Sequence, residues 1–214
     1  MSTQIKNIIF DYGNVIFDID FKRAQKAFAE LGVSNVERIF DHKVQSQLFD
    51  NFDTGKISAA EWRTGIRELI GSQQLTDQQI DDAWNKLLIG IPQGNHELLL
   101  KIKEQYNTFL LSNNNEVHYK WIMDYLNKEF GLENNSSFFI KDYYSHLMGM
   151  RKPNKEIFEY VLKTHNLVPK ETLFIDDSPQ HLKTAAELGM QTYLMTKPDN
   201  LQEYFKTNGL LKTS

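Results

Sequence analysis

The feature that most constrains this chain is the run Ile8-Ile-Phe-Asp-Tyr-Gly-Asn-Val15, where apolar residues break onto Asp11 and then onto the small, turn-forming pair Gly13 and Asn14. A short apolar run ended by Gly and Asn reads as a buried strand, Ile5–Phe10, that delivers one carboxylate to a loop. The same pattern returns at Thr108–Ser112 ahead of Asn113-Asn114-Asn115, within Phe138–Ser145, at Thr172–Ile175 ahead of Asp176-Asp177, and at Gln191–Met195. Helical stretches separate these runs: Asn95 to Gln105, Glu116 to Phe130 stopped by Gly131, Lys155–Thr164 after Pro153, one opening at Ser178-Pro179 and ending at Gly189, and Leu201–Lys206. Alternating strands and helices of this length predict an α/β fold with a doubly wound, mainly parallel, Rossmann-like sheet. In such sheets ligands sit beyond the carboxyl ends of the strands, where Asp11 lies. A carboxylate after a strand also suits a helix cap, so Asp11 alone leaves both roles open.

The spacing between the first two strands is anomalous. A βαβ crossover needs only about 30 residues, yet about a hundred separate Phe10 from Thr108. The excess predicts an α-helical insert over 17–92, placed directly after strand one, with residues 1–16 and 93–214 forming the sheet-bearing core. Within the insert Phe21, Ala24, Phe28 and Leu31 share one helix face, and Gly32 follows as a stop. Ser34 with Glu37, Ser58 with Glu61 and Thr76 with Gln79 each match the capping box, in which two side chains satisfy orphan amides reciprocally. Trp62, Ile66 and Leu69 give a further stripe, and Ile80, Ala83, Trp84, Leu87 and Leu88 another, so the insert reads helical throughout, its aromatic stripes forming a core. Gly90-Ile-Pro-Gln-Gly94 makes the return linker.

Bulk properties narrow the function. A chain of 214 residues buries about 70% of its unfolded surface, enough for a core without metal or disulfide staples. The absence of cysteine removes disulfides, thiolate metal sites and Cys nucleophiles. No stretch reaches the roughly 18 apolar residues of a membrane span, and the N-terminal residues lack a signal-peptide apolar core, so a soluble, cytoplasmic protein without membrane contact is expected. Net charge is −4 with acids and bases interspersed, which argues against nucleic acid as a partner. The oligomeric state is left open, a monomer being favoured.

Four polar features fall at predicted strand ends: Asp11, Ser112 with Asn113, Lys152 in Gly149-Met-Arg-Lys-Pro153, and Asp176-Asp177. Three carboxylates with one ammonium in a shared crevice are costly unless a cation joins the acids. A hard divalent ion with oxygen ligands is the natural candidate, and Mg²⁺ suits a site that also holds phosphate. His118 and His146 lie near these motifs without partners spaced for zinc and read as ordinary polar residues.

In this order the motifs resemble the haloacid dehalogenase-like hydrolase superfamily over essentially the whole chain. Phe10-Asp-Tyr-Gly-Asn-Val15 and Gly149-Met-Arg-Lys-Pro153 are most similar to its small sugar phosphatases, the subgroup of α-D-glucose-1-phosphate phosphatase and the phosphatase domain of epoxide hydrolases. The resemblance implies that Asp11 attacks phosphorus and forms an aspartyl-phosphate that water cleaves. It also implies that Ser112 and the amide of Asn113 hold phosphate oxygens and that Lys152 neutralises charge on the phosphoryl group and Asp11. Mg²⁺ would be held by Asp11, the backbone carbonyl of Gly13, Asp176 and Asp177, with Asp177 the direct ligand of that pair. The insert takes the cap position, and the expected substrate is a small phosphorylated metabolite near glucose 1-phosphate. The polar turn Asp53-Thr-Gly-Lys56 is a candidate specificity loop, although such a turn ordinarily reads as solvated surface.

One departure stands out. Most phosphatases of this superfamily carry a second Asp two residues after the nucleophile as general acid and base, and here that position is Gly13. General acid–base catalysis contributes about 10²–10⁴-fold, so a replacement is needed. Asp18, Asp20 and Asp53 of the insert are the candidate acids; alternatively, the less basic anomeric oxygen of a sugar 1-phosphate needs less help in leaving. Two further readings stay open: a phosphate-sensing or partner-binding protein without turnover, motivated by Gly13, and a metal-independent dehalogenase, against which the paired acids argue.

Overall fold

The computed structural model describes residues 4–39 and 47–211. The chain opens with β1 (Asn7–Phe10), passes through β2 (Asp18–Ile19), and enters the helices α1 (Phe21–Glu30), α2 (Val36–Ile39), α3 (Gln47–Asp53), α4 (Ala59–Ile70) and α5 (Asp77–Asn85). It returns through β3 (Leu88–Gly90) to α6 (Asn95–Lys103), β4 (Asn107–Ser112), α7 (Glu116–Phe130), β5 (Lys141–Tyr144), α8 (Ser145–Met148) and α9 (Lys155–Thr164). β6 (Thr172–Asp176), α10 (Pro179–Glu187), β7 (Gln191–Leu194) and α11 (Leu201–Thr207) complete it.

Five of these strands form one parallel sheet in the order β5-β4-β1-β6-β7. The winding therefore reverses between β1 and β6, where Phe10 stands beside Ile175. A crevice opens at such a switch point, beyond the carboxyl ends of the strands. The strands form because their side chains alternate between two apolar layers: Ile8 and Phe10 join one, while Ile9 joins Phe109 and Phe174 in the other. The doubly wound sheet expected from the sequence is the sheet observed.

The insert is not helical throughout. Asp18 and Ile19 pair antiparallel with Gly90 and Leu88, so a two-stranded ribbon forms the neck of the insert. The stripe expected to run to Leu88 stops at Asn85, and Leu88 and Gly90 become strand. Gly90 is required there, because its φ of 145° is closed to other residues and an added Cβ would stand 2.8 Å from the hydroxyl of Tyr125. Two capping boxes close as expected: Ser58 N donates to Glu61 at 2.8 Å, and Thr76 N to Gln79 at 2.9 Å, each answered by the reverse bond. The third, Ser34 with Glu37, falls at the start of the four-residue α2, with Glu37 in its first turn. Trp62 stacks on Phe52 at 4.7 Å in the buried centre, while Leu69, expected on the same stripe, is exposed.

Candidate active site

Each strand end delivers its polar residue to the crevice. Asp11 leaves β1 with its amide bonded to Ile175 O at 2.8 Å, which fixes it against β6. Lys152, fully buried, extends its ammonium between two carboxylates, 2.7 Å from Asp11 Oδ1 and 2.7 Å from Asp176 Oδ2. The same ammonium lies 5.4 Å from the centre of the Phe174 ring. Its loop is locked onto the end of β4 by a reciprocal pair, Lys152 N to Asn113 Oδ1 at 2.9 Å and Asn113 Nδ2 to Lys152 O at 2.9 Å. Ser112 is buried beside it. Thus Asp11, Ser112, Asn113, Lys152, Asp176 and Asp177 meet at one edge, and Asp11, Asp176 and Asp177 offer oxygens within 4.8 Å of one another.

The two neighbouring acids are held differently. Asp176 has both oxygens engaged: Oδ1 accepts from Ser178 N at 2.8 Å and from His181 Nδ1 at 2.9 Å, and Oδ2 accepts from Lys152. Asp177 accepts from Asn14 Nδ2 at 2.9 Å through Oδ2 alone. Burial raises Asp177 above the usual carboxylate range. Burial also pushes Asp11 up to about 8, with Asp176 and Asp177 adding to the rise and Lys152 opposing it. Burial works against the charged form of Lys152, but Asp11 and Asp176 outweigh it and hold the ammonium above its ordinary value. The crevice therefore carries more acid than Lys152 neutralises, a charge deficit suited to a hard divalent cation. One further feature fits a hydrated ion: Asn14 Oδ1 is buried and has no hydrogen-bond partner among the described residues.

Gly13 is constrained by space. A Cβ there would stand 2.9 Å from Ile19 Cδ1 of the neck ribbon, so a longer side chain requires Ile19 to move. Of the three insert acids, Asp20 is the N-cap of α1, accepting from Lys22 N at 3.0 Å. Asp18 faces Lys197 at 3.8 Å at the neck surface. Asp53 instead meets the core: it accepts from Asn115 Nδ2 at 3.4 Å, lies 3.7 Å from Arg151, and is pushed up to about 6 by burial. Arg151, next to Lys152, also pairs with Asp50. The Asp53–Lys56 turn is accordingly of mixed character, with Lys56 exposed but Gly55 seated on the backbone carbonyl of His146. His118 is buried, stacked on Trp84 at 4.8 Å.

Sequence reasoning missed Asn14, Arg151 and His181. Asn14 carried a signal in its position next to Gly13, since Asn tolerates the left-handed backbone that the loop adopts there, with φ of 55°. His181 carried none, because its role depends on the first turn of α10 facing back onto β6.

The fold and the site define a Rossmann-like α/β enzyme whose acids and single lysine gather at the switch point. The chain belongs to the haloacid dehalogenase-like hydrolase family, whose family model matches residues 5–189. It is 33% identical over 198 residues to the D-ribitol-5-phosphate phosphatase of Bacteroides thetaiotaomicron, covering 92% of this chain and 93% of that protein. Among solved structures, a HAD family enzyme from Bacteroides thetaiotaomicron, in complex with magnesium and inorganic phosphate, superposes with a TM-score of 0.84 at 38% identity, covering 94% of this chain and 99% of that one. A HAD-like family hydrolase from Porphyromonas gingivalis superposes with a TM-score of 0.85 at 33% identity, covering 98% of this chain and 100% of that one.

Proposed function

We propose that this protein is a Mg²⁺-dependent phosphatase of small sugar or polyol phosphates, acting through an aspartyl-phosphate on Asp11. The observation that carries the reading is the buried Lys152 ammonium, 2.7 Å from both Asp11 and Asp176 beside a cluster of carboxylate oxygens. Asp11, Asp177 and the Gly13 carbonyl are the groups that would hold the ion, with Asp176 close by but occupied by Lys152, Ser178 and His181. When bound, Mg²⁺ screens the phosphate dianion from Asp11 and supplies electrophilic assistance at its oxygens.

Asp11 then forms an oxygen–phosphorus bond as the bond to the sugar oxygen breaks, and that oxygen leaves as the alcohol after taking a proton. Water next attacks phosphorus, releasing inorganic phosphate and restoring the Asp11 carboxylate. Lys152 neutralises charge building on the phosphoryl group, while Ser112 and the Asn113 amide hold its oxygens. The helical insert serves as the cap that excludes water. We assign the proton to Asp53, which accepts from Asn115, lies beside Arg151 at the face of the core and is pushed up to about 6 by burial.

The named relative acts on D-ribitol 5-phosphate, an open-chain polyol phosphate, whereas the sequence motifs favour glucose 1-phosphate. Release of phosphate from both, with and without Mg²⁺, tests the reading. Phosphate release that requires Mg²⁺ is expected, and Asp11→Asn should lower turnover by about 10³-fold or more with the fold retained. Substantial turnover by that variant would remove the covalent step, and turnover that survives a chelator would remove the metal. Phosphate binding without release from any substrate would favour the sensing reading that Gly13 suggests.

A further inference from the structure

We infer that Asn14 is a positioning residue for the metal-binding face of the crevice, orienting Asp177 with one end of its amide and offering the other end to the first water layer of the ion. This rests on the Mg²⁺ reading above. Three independent features of one residue carry it. First, Asn14 holds a left-handed backbone at φ of 55°, a conformation that glycine adopts without steric cost and asparagine only tolerates. Held there, the backbone fixes the direction in which the side chain leaves the loop. Second, its Nδ2 donates to Asp177 Oδ2 at 2.9 Å, joining the loop after β1 to the loop after β6 across the switch point. A carboxylate only accepts, so the amide is turned with its nitrogen toward Asp177, leaving Asp177 Oδ1 for other work. Third, Asn14 Oδ1 is itself buried and, among the described residues, has no hydrogen-bond partner. A buried acceptor without a donor is costly unless a donor arrives with the bound state, and metal-bound water is such a donor. The backbone keeps the residue still: Asn14 N donates to Phe17 O at 2.8 Å, closing the loop on itself.

The test uses Asn14→Gly, which removes the amide while leaving the backbone in a conformation that suits glycine better. Calorimetric titration of Mg²⁺ into the metal-free protein is expected to give about a tenfold weaker Kd than wild type, the scale on which loss of such supporting contacts acts. The thermal midpoint in chelator should stay level or rise. Equal Kd values for variant and wild type would overturn the assignment. A fall of tens of degrees in the chelator midpoint would also overturn it, since the side chain would then be a packing element. If wild type itself binds no Mg²⁺, the metal reading fails, and that outcome is separate from equal binding by the two proteins.

Discussion

At the scale of single residues the centre of the site is Lys152, a fully buried ammonium whose two carboxylate partners must not move. Breaking a buried pair strands a charge, so whatever fixes Asp176 also fixes Lys152. His181 does this: its Nδ1 lies 2.9 Å and 3.0 Å from the two Asp176 oxygens, which makes Nδ1 the protonated nitrogen, and burial lowers its pKa. Replacing it by leucine removes one of the donors that hold Asp176 beside Lys152, and kcat is expected to fall about 10-fold or more, as for other supporting contacts. Affinity for inorganic phosphate should weaken alongside, and His181→Asn, which keeps a donor, should recover most of both. Steady-state kinetics and phosphate calorimetry on the two variants check this; equal behaviour of Leu and Asn would refute it. Asp11, Lys152, Asp176 and Asp177 were legible in the sequence because each ends an apolar run or sits in a short motif. His181 and Arg151 were not, since nothing local says which side chain reaches back to a strand end or across to the insert.

At the scale of elements the question is how the insert grips the crevice. The turn between α3 and α4 presses on the loops after β4 and β5: Asp50 and Asp53 take Arg151, Asn115 donates to Asp53, and Glu116 accepts from Ala59 N at 3.1 Å. Gly55, at φ of 64°, leaves no room, since a Cβ would collide with the backbone carbonyl of His146. Gly55→Ala is therefore expected to lift the turn, raise KM for sugar phosphates and lower the thermal midpoint, since the contact is with backbone that cannot swing aside. An unchanged KM would separate this turn from substrate. The proton assignment is tested at the same seam. Asp53→Asn should lower kcat on ribitol 5-phosphate by about 10²-fold or more and spare p-nitrophenyl phosphate, whose leaving group needs no proton. An equal loss on both would make Asp53 a docking residue only. The long helices here were legible from their stripes and capping boxes. The neck ribbon was not, because strands of two and three residues are too short to show a period and owe their existence to each other.

At the scale of the molecule, insert and sheet share one apolar interior. Ile8 and Phe10 of the sheet, Phe17 at the neck, and Phe28, Trp62 and Trp84 of the insert belong to one continuous buried cluster. Its seam runs through His118 of α7, which stacks on Trp84 of α5 with the rings 19° from parallel. Asn115 Nδ2, an obligate donor, faces His118 Nδ1 at 3.3 Å, so Nε2 carries the hydrogen and donates to Trp84 O at 3.4 Å. Both ring nitrogens are thereby used by the neutral form, and burial drives the pKa of His118 down to about 3. Between that value and the ordinary 6.5, the unfolded chain binds a proton that the folded one refuses. Stability attributable to His118 is therefore full above pH 6.5 and is lost as pH falls, by at most about 1.4 kcal/mol per pH unit. Asp53, raised by its own burial, works in the opposite sense over part of this range, so the effect is read as a difference between proteins. Denaturant unfolding of wild type and His118→Gln from pH 7 to pH 4 should show wild type losing more stability than the variant on acidification; parallel pH profiles would mean that His118 is protonated in the fold. Because the cluster is continuous, far-ultraviolet circular dichroism and tryptophan fluorescence, which reports Trp62 and Trp84 in the insert together with Trp121 of α7, should unfold together at each pH. Separate transitions would mean that the seam at His118 does not bind the two parts into one cooperative unit.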